Sequence, residues 1–316
     1  MTLARLAATA LALVALAGCT FSSTGRGSTA SNTRRSGSTP TAASSADAPA
    51  SQYYVSIGDS YAAGYQPTGR GTGATTRNGF AYQLVGDTAA RGYRFSLVNF
   101  GCSGATTTSV LTAAGCPSTD LGPGAHDYGP KTQAAATEDF IRANRARIGL
   151  VTVSIGGNDI TSCALSASPL TCLPPALDKV KANLTTLLTG LRAAAGPNVR
   201  IVGITYPDVL LAGALLKDPA AQSVAPLSVL AFRTLINPTL KAAYDAAGAG
   251  FVDVTDATGA YGPLTETTTL APYGTVPVPV AKVCELTFMC EYQDIHPRTS
   301  GYALIAGLIA AQLPKR

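Results

Sequence analysis

Residues 150–159 (LVTVSIGGND) open as an uncharged run rich in β-branched side chains and pass into Gly156-Gly157. Such a run reads as a strand buried on both faces. Four more segments share this character: 52–58 (QYYVSIG), 95–101 (FSLVNFG), 199–208 (VRIVGITYPD) and 250–256 (GFVDVTD). Between and after them lie stretches of helical periodicity, at Phe80–Arg91, Glu138–Gly149, Asp178–Ala195, a long Ala/Leu-rich stretch reaching Ala247, and 299–313. In the third of these, Val180, Leu184, Leu187, Leu188 and Leu191 share one face, and Gly196-Pro197 ends it. Apolar strands alternating with helices predict an α/β fold, a three-layer α/β/α sandwich around a mostly parallel five-stranded sheet. Ligands of such sheets bind at the carboxyl ends of the strands. That rule puts Ser60, Cys102–Gly104, Gly156–Asp159 and Tyr206–Asp208 on one rim. No internal repeat is visible, and 256–290 reads as a Pro/Thr-rich excursion of low periodicity over that rim.

The chain divides into three parts. Arg5 precedes an apolar run, Leu6–Ala17, that is too short to span a bilayer and has the length of a secretory signal core. It closes on Leu16-Ala17-Gly18-Cys19, which resembles a bacterial lipobox. On that reading 1–18 is a lipoprotein signal peptide and Cys19 is lipidated, anchoring the protein to a membrane. The alternative is an ordinary signal peptide in which Cys19 is incidental. Residues 20–50 are mostly Ser, Thr, Gly and Ala, with prolines, scattered arginines and no apolar periodicity, the composition of a flexible tether. One folded domain is expected over 51–316.

Four of the 23 basic and one of the 18 acidic residues lie before Ser51, so the domain carries a net charge of only +2. It shows no basic stripe, which excludes nucleic acid as the expected partner. Apart from Cys19 there are six cysteines. An even number in an exported chain points to disulfides, and their spacing favours Cys102–Cys116, Cys163–Cys172 and Cys284–Cys290. Neither CxxC spacing nor nearby histidines support a metal site.

The rim carries the chemistry. Ser60 follows Gly58-Asp59 at the end of the first strand, flanked by small residues. A serine nucleophile needs a base, and the chain has two histidines. His126 lies in a loop that no strand leads into and reads as a surface or packing residue. His296, in "YQDIHPRTSGY", is held by Pro297 just before the last helix and suits a positioned base. Gly104, in "NFGCSGATT", and Asn158, in "SIGGNDI", can offer hydrogen bonds to a developing oxyanion. Asp59 and Asp159 read as turn-bracing residues.

These four blocks, "GDSYAAG", "NFGCSGAT", "GGND" and "DIHP", occur in the order found in the SGNH/GDSL hydrolases, which the chain resembles over nearly all of 52–313. The wording is most similar to actinobacterial secreted esterases and lipases. The resemblance implies an extracytoplasmic serine esterase or lipase. Ser60 is then the nucleophile and His296 its base, and the Ser60 and Gly104 amides with the Asn158 side chain form the oxyanion hole. No metal or organic cofactor is implied, a monomer is expected, and the partner is an ester substrate, either lipid or acylated glycan. One departure stands out. The family commonly has an Asp three residues before the His, where this chain has Gln293; Asp294 is only two before. Either Asp294 reaches the ring by a shifted backbone or, as this reading slightly favours, a main-chain carbonyl near Gln293 orients it. Acyl-chain preference is expected to depend on loops 61–77, 105–137 and 256–290. A glycan O-deacetylase or acyltransferase using the same site is the alternative enzyme, and a non-catalytic envelope binding lipoprotein is the alternative of another class.

Overall fold

The computed structural model describes residues 51–316 apart from 165 and 167. The signal peptide, Cys19 and the tether lie outside the described residues. Five strands form the central sheet: β1 (Gln52–Gly58), β2 (Phe95–Asn99), β3 (Ile148–Ser154), β4 (Arg200–Ile204) and β5 (Gly250–Val252). Their order is β2-β1-β3-β4-β5, and every pairing is parallel. In this arrangement the strand order reverses between β1 and β3, which opens a crevice beyond their carboxyl ends.

Side-chain alternation divides the core into two layers. Tyr54, Leu150, Val202 and Ile204 face the helices Phe80–Ala89 and Thr299–Ala311, burying Phe80, Leu84, Tyr302, Ile305 and Ile309. Val55, Ile57, Val151, Val153 and Ile201 point the other way. They meet Ile141, Leu184, Leu188 and Leu240 of the helices Gln133–Ala143, Pro169–Ala195 and Asn237–Ala246. The period of two in each strand produces this division, because successive side chains leave opposite faces. Within the first layer the Tyr54 hydroxyl and Thr152 Oγ1 are hydrogen-bonded at 2.8 Å, so two buried polar groups satisfy each other.

Several local readings change: the helix read at 138–149 is Gln133–Ala143, and the strands read at 199–208 and 250–256 stop at Ile204 and Val252. The third strand ends at Ser154, and Gly157 already opens a helix, Gly157–Ala164. The following helix starts at Pro169 instead of Asp178 and runs through Pro174 and Pro175. Its early turns lack the amides those prolines cannot donate, and the Cys163–Cys172 disulfide holds them against the preceding helix. Residues 256–290 are also more ordered than their composition predicts. They hold an antiparallel hairpin, Thr267–Leu270 with Gly274–Pro277, and a helix, Val278–Leu286. Cys102–Cys116 and Cys284–Cys290 complete the three disulfides. Among the described residues no helix is long and apolar enough to cross a membrane.

Candidate active site

Strand β1 delivers Ser60 by a sharp turn. Gly58 adopts φ 149°, and a Cβ there would sit 2.0 Å from the Ser154 carbonyl oxygen, so only glycine fits. Asp59 then caps the short helix Ser60–Ala63, its carboxylate accepting from the Tyr61 amide at 3.0 Å. As the first residue of that helix, Ser60 has a backbone N–H without an intrahelical acceptor. Its side chain is almost entirely buried.

The opposing group comes from the other end of the chain. His296 Nε2 lies 2.8 Å from Ser60 Oγ, and His296 Nδ1 lies 2.6 Å from Asp294 Oδ1. The same Asp294 oxygen accepts from the His296 backbone N–H at 2.9 Å. An ionised carboxylate only accepts, so Nδ1 donates and Nε2 keeps a lone pair facing the serine hydroxyl. Partial burial pushes the Asp294 carboxyl up, but its hydrogen bond to His296 and the imidazole charge outweigh this and hold it below the usual value. The orienting contact is thus made by Asp294 and not by a main-chain carbonyl near Gln293. The reason is local: Gln293 takes the left-handed conformation, φ 57°, and turns the chain so that Asp294 folds back beside the ring.

The histidine loop is closed on itself and tied to the helix that carries Ser60. Phe288 N–H donates to His296 O and Arg298 N–H to Leu286 O, at 3.0 and 2.9 Å, and Cys284–Cys290 pins the loop's base. The Tyr61 hydroxyl donates to Ile295 O at 2.7 Å. The Tyr65 ring centre stands 4.5 Å from that of His296. Sequence reasoning missed these two tyrosines as positioning residues; their nearness to Ser60 in sequence was the available signal.

Gly104 and Asn158 are bound into one support. Cys102 N–H donates to Gly58 O at 3.0 Å, which sets the 102–105 turn against the end of β1. Gly104 is in that turn with φ 79°, and among the described residues no acceptor takes its amide N–H. Asn158 Nδ2 donates to Ala105 O at 2.8 Å, leaving its second hydrogen available. Asp159 accepts from the Thr107 amide and hydroxyl at 2.9 and 2.8 Å. It therefore braces the neighbouring segment and not its own turn. Asp59 braces its turn and also accepts from the Tyr206 hydroxyl. His126 is exposed, its ring packed on Phe100.

Ser60 and Asn158 open on a cleft of about 590 Å³ with mostly apolar walls. Leu173, Leu210, Leu216, Val224, Phe232 and Met289 are among the lining residues. Arg70 and Tyr273 from the expected bordering loops take part, but 105–137 contributes no lining residue among those described. The depth comes instead from 157–173 and 207–236, because the chain after β3 and β4 continues past the strand ends and builds the walls there. Among the described residues no cluster of His, Cys, Asp or Glu could hold a metal ion.

Residues 56–304 match the GDSL-like Lipase/Acylhydrolase family. Comparison with curated protein sequences finds no match. Among solved structures, the lipase Lip_vut3 from a goat rumen metagenome is similar with a TM-score of 0.50 at 16% identity, covering 84% of this chain and 99% of that one. The extracellular lipase of Streptomyces rimosus has a TM-score of 0.47 at 19% identity, covering 83% and 98%. The aryl esterase of M. smegmatis has a TM-score of 0.47 at 12% identity, covering 83% and 97%. The family match spans all four blocks, from the strand before Ser60 to the helix after His296, and the chain belongs to the GDSL-like lipase/acylhydrolase family as a carboxylic ester hydrolase.

Proposed function

We propose that hydrolysis proceeds through an acyl-enzyme on Ser60. The observation that carries this reading is the line Ser60 Oγ–His296 Nε2 and Nδ1–Asp294 Oδ1, with Ser60 lining an apolar cleft. Ser60 Oγ attacks the ester carbonyl as its proton passes to His296 Nε2. The carbonyl oxygen becomes an oxyanion held by the Ser60 and Gly104 amides and the free hydrogen of Asn158 Nδ2. Collapse expels the alcohol, which takes the proton from His296. Water then attacks the acyl-enzyme with His296 again as base, releasing the acid and restoring Ser60. Asp294 keeps Nδ1 protonated and stabilises the imidazolium that forms twice per turnover.

The acyl group lies in the apolar cleft, which favours aliphatic acyl esters over acetylated glycans as substrates. Three disulfides favour an oxidising compartment, and with the apolar Leu6–Ala17 run and the Cys19 motif they support an extracytoplasmic, lipid-anchored enzyme. A panel of p-nitrophenyl esters from acetyl to palmitoyl, run on wild type beside Ser60→Ala, tests the reading. Turnover that rises beyond acetyl and disappears in the variant is expected. Turnover confined to acetyl would favour glycan deacetylation, and equal turnover in Ser60→Ala would refute the acyl-enzyme.

A further inference from the structure

Among the described residues six large apolar side chains remain exposed, and they share one region. Leu216, Val224 and Tyr273 line the mouth of the cleft. Leu227, Leu230 and Leu235 continue outward along the helix Pro219–Ala231 and the turn after it, with Leu227 and Leu230 51% and 57% exposed. A helix on the surface of a soluble domain ordinarily turns charged residues outward. Here no charged residue occurs from Pro219 to Phe232; Lys217-Asp218 precedes the run and Arg233 follows it. The inner side is fixed: Ala225 is buried, and Ser228 Oγ donates to Asp208 Oδ2 at 2.8 Å. The outer leucines are therefore not core residues left loose. They sit on a braced helix whose burial elsewhere would cost little desolvation.

We propose that this face docks on a lipid surface, so that an acyl ester passes from the surface into the cleft without crossing water. Three observations select this occupant. The patch is continuous with the cleft mouth through Leu216 and Val224, so whatever covers it also faces the entrance. The run itself carries no charge that burial would desolvate, so its outer leucines suit an interfacial helix that sets apolar side chains among acyl chains. Finally, the domain begins 32 residues after Cys19, the expected acyl anchor, and the sequence between them has the composition of a tether. The inference rests on the reading that the cleft takes the acyl group.

The test compares Leu227→Glu/Leu230→Glu with its parent in the mature chain from residue 19 onward carrying Cys19→Ser, so that neither the apolar Leu6–Ala17 run nor an acyl anchor contributes. Neither leucine lines the cleft. Binding is measured by flotation with phosphatidylcholine vesicles, in a Ser60→Ala background so that it reads independently of turnover. The parent is expected to float with the vesicles and the double variant to partition at least tenfold less. With active protein, the double variant should lose at least tenfold on emulsified long-chain esters. It should stay within twofold on dissolved p-nitrophenyl acetate. Equal partitioning of parent and variant, or no partitioning of either, overturns the proposal. So does light scattering that shows a parent dimer which the variant makes monomeric, since a second copy would then be the occupant. Loss of turnover on dissolved ester in the parent would refute the acyl-enzyme instead, leaving the flotation result readable.

Discussion

Asp294 Oδ1 accepts from two donors of one residue, the His296 amide and Nδ1, at 2.9 and 2.6 Å. This double acceptance makes Asp294→Asn an informative perturbation. If the new amide places its oxygen where Oδ1 stood, both hydrogen bonds survive and Nδ1 stays protonated; only the charge is lost. A carboxylate about 4 Å from the centre of an imidazolium, at an effective dielectric near 20, contributes about 4 kcal/mol. Lost from the transition state, that is about a thousandfold in turnover. If the amide turns its NH₂ to the ring instead, the proton moves to Nε2 and the base is blocked, which costs about ten-thousandfold in triads of this kind. The first arrangement is favoured because the His296 backbone N–H demands an acceptor. The predicted fall in kcat is therefore a hundredfold to a thousandfold for Asp294→Asn, and at least as large for Asp294→Ala, with KM little changed. Initial rates on p-nitrophenyl butyrate measure this, with melting curves confirming the fold. Either variant within tenfold of wild type would refute the role given to the carboxylate, and so would an effect confined to KM.

Asn158→Ala removes both the proposed oxyanion donor and the clamp on Ala105 O; kcat is expected to fall by roughly a hundredfold to a thousandfold, and a smaller loss in steady-state rates would take Asn158 out of the oxyanion hole. Burial raises the Asp59 and Asp208 carboxyls from the ordinary 3.8 to about 7, against the opposing effect of their hydrogen bonds. The unfolded chain releases these protons near pH 4 and the folded one near pH 7, so stability falls across that window as pH rises and stays lower above it. Asn at 208 can donate to Ser228 Oγ, whose single hydrogen is then free to turn to Ala225 O, 2.9 Å away. Asp208→Asn should thus raise the melting temperature at pH 8 and leave it unchanged or lower at pH 5; a variant less stable than wild type at pH 8 would contradict this. Removing Cys102–Cys116 by double Ser substitution opens a loop of 14 residues' separation. The loss is about 3 kcal/mol, visible as a melting point roughly 6–12 °C lower.

The sheet was readable because each strand is a short apolar run ended by Gly, Asn or Asp, and the helices between them force parallel pairing. Ser60, Gly104, Asn158 and His296 could be placed on one rim because all four lie at strand or helix ends. What escaped depended on backbone or tertiary facts with no local signature. Asp294 reaches the imidazole only because Gln293, a non-glycine residue, takes a positive φ, and composition does not announce that. Of the three loops expected to border the cleft, 61–77 and 256–290 do and 105–137 does not; much of the wall comes instead from Leu173, Leu210 and Phe232, whose segments carry no motif that points to a site. A charge-free stretch from Pro219 to Phe232 was the signal that this helix faces something other than water on its outer side. The hairpin within 256–290 is set by the Thr267–Leu270 pairing with Gly274–Pro277, which polar side chains without apolar alternation do not advertise.

The central claim is that Ser60 is the nucleophile and His296 activates it. Intact-mass spectrometry after brief exposure to an alkyl fluorophosphonate, followed by peptide mapping, tests it directly. One adduct per chain on the peptide carrying Ser60 is expected, forming at least a hundredfold more slowly in His296→Ala and not at all in Ser60→Ala. An unmodified wild-type chain, or an adduct on another residue that persists in Ser60→Ala, would contradict the account.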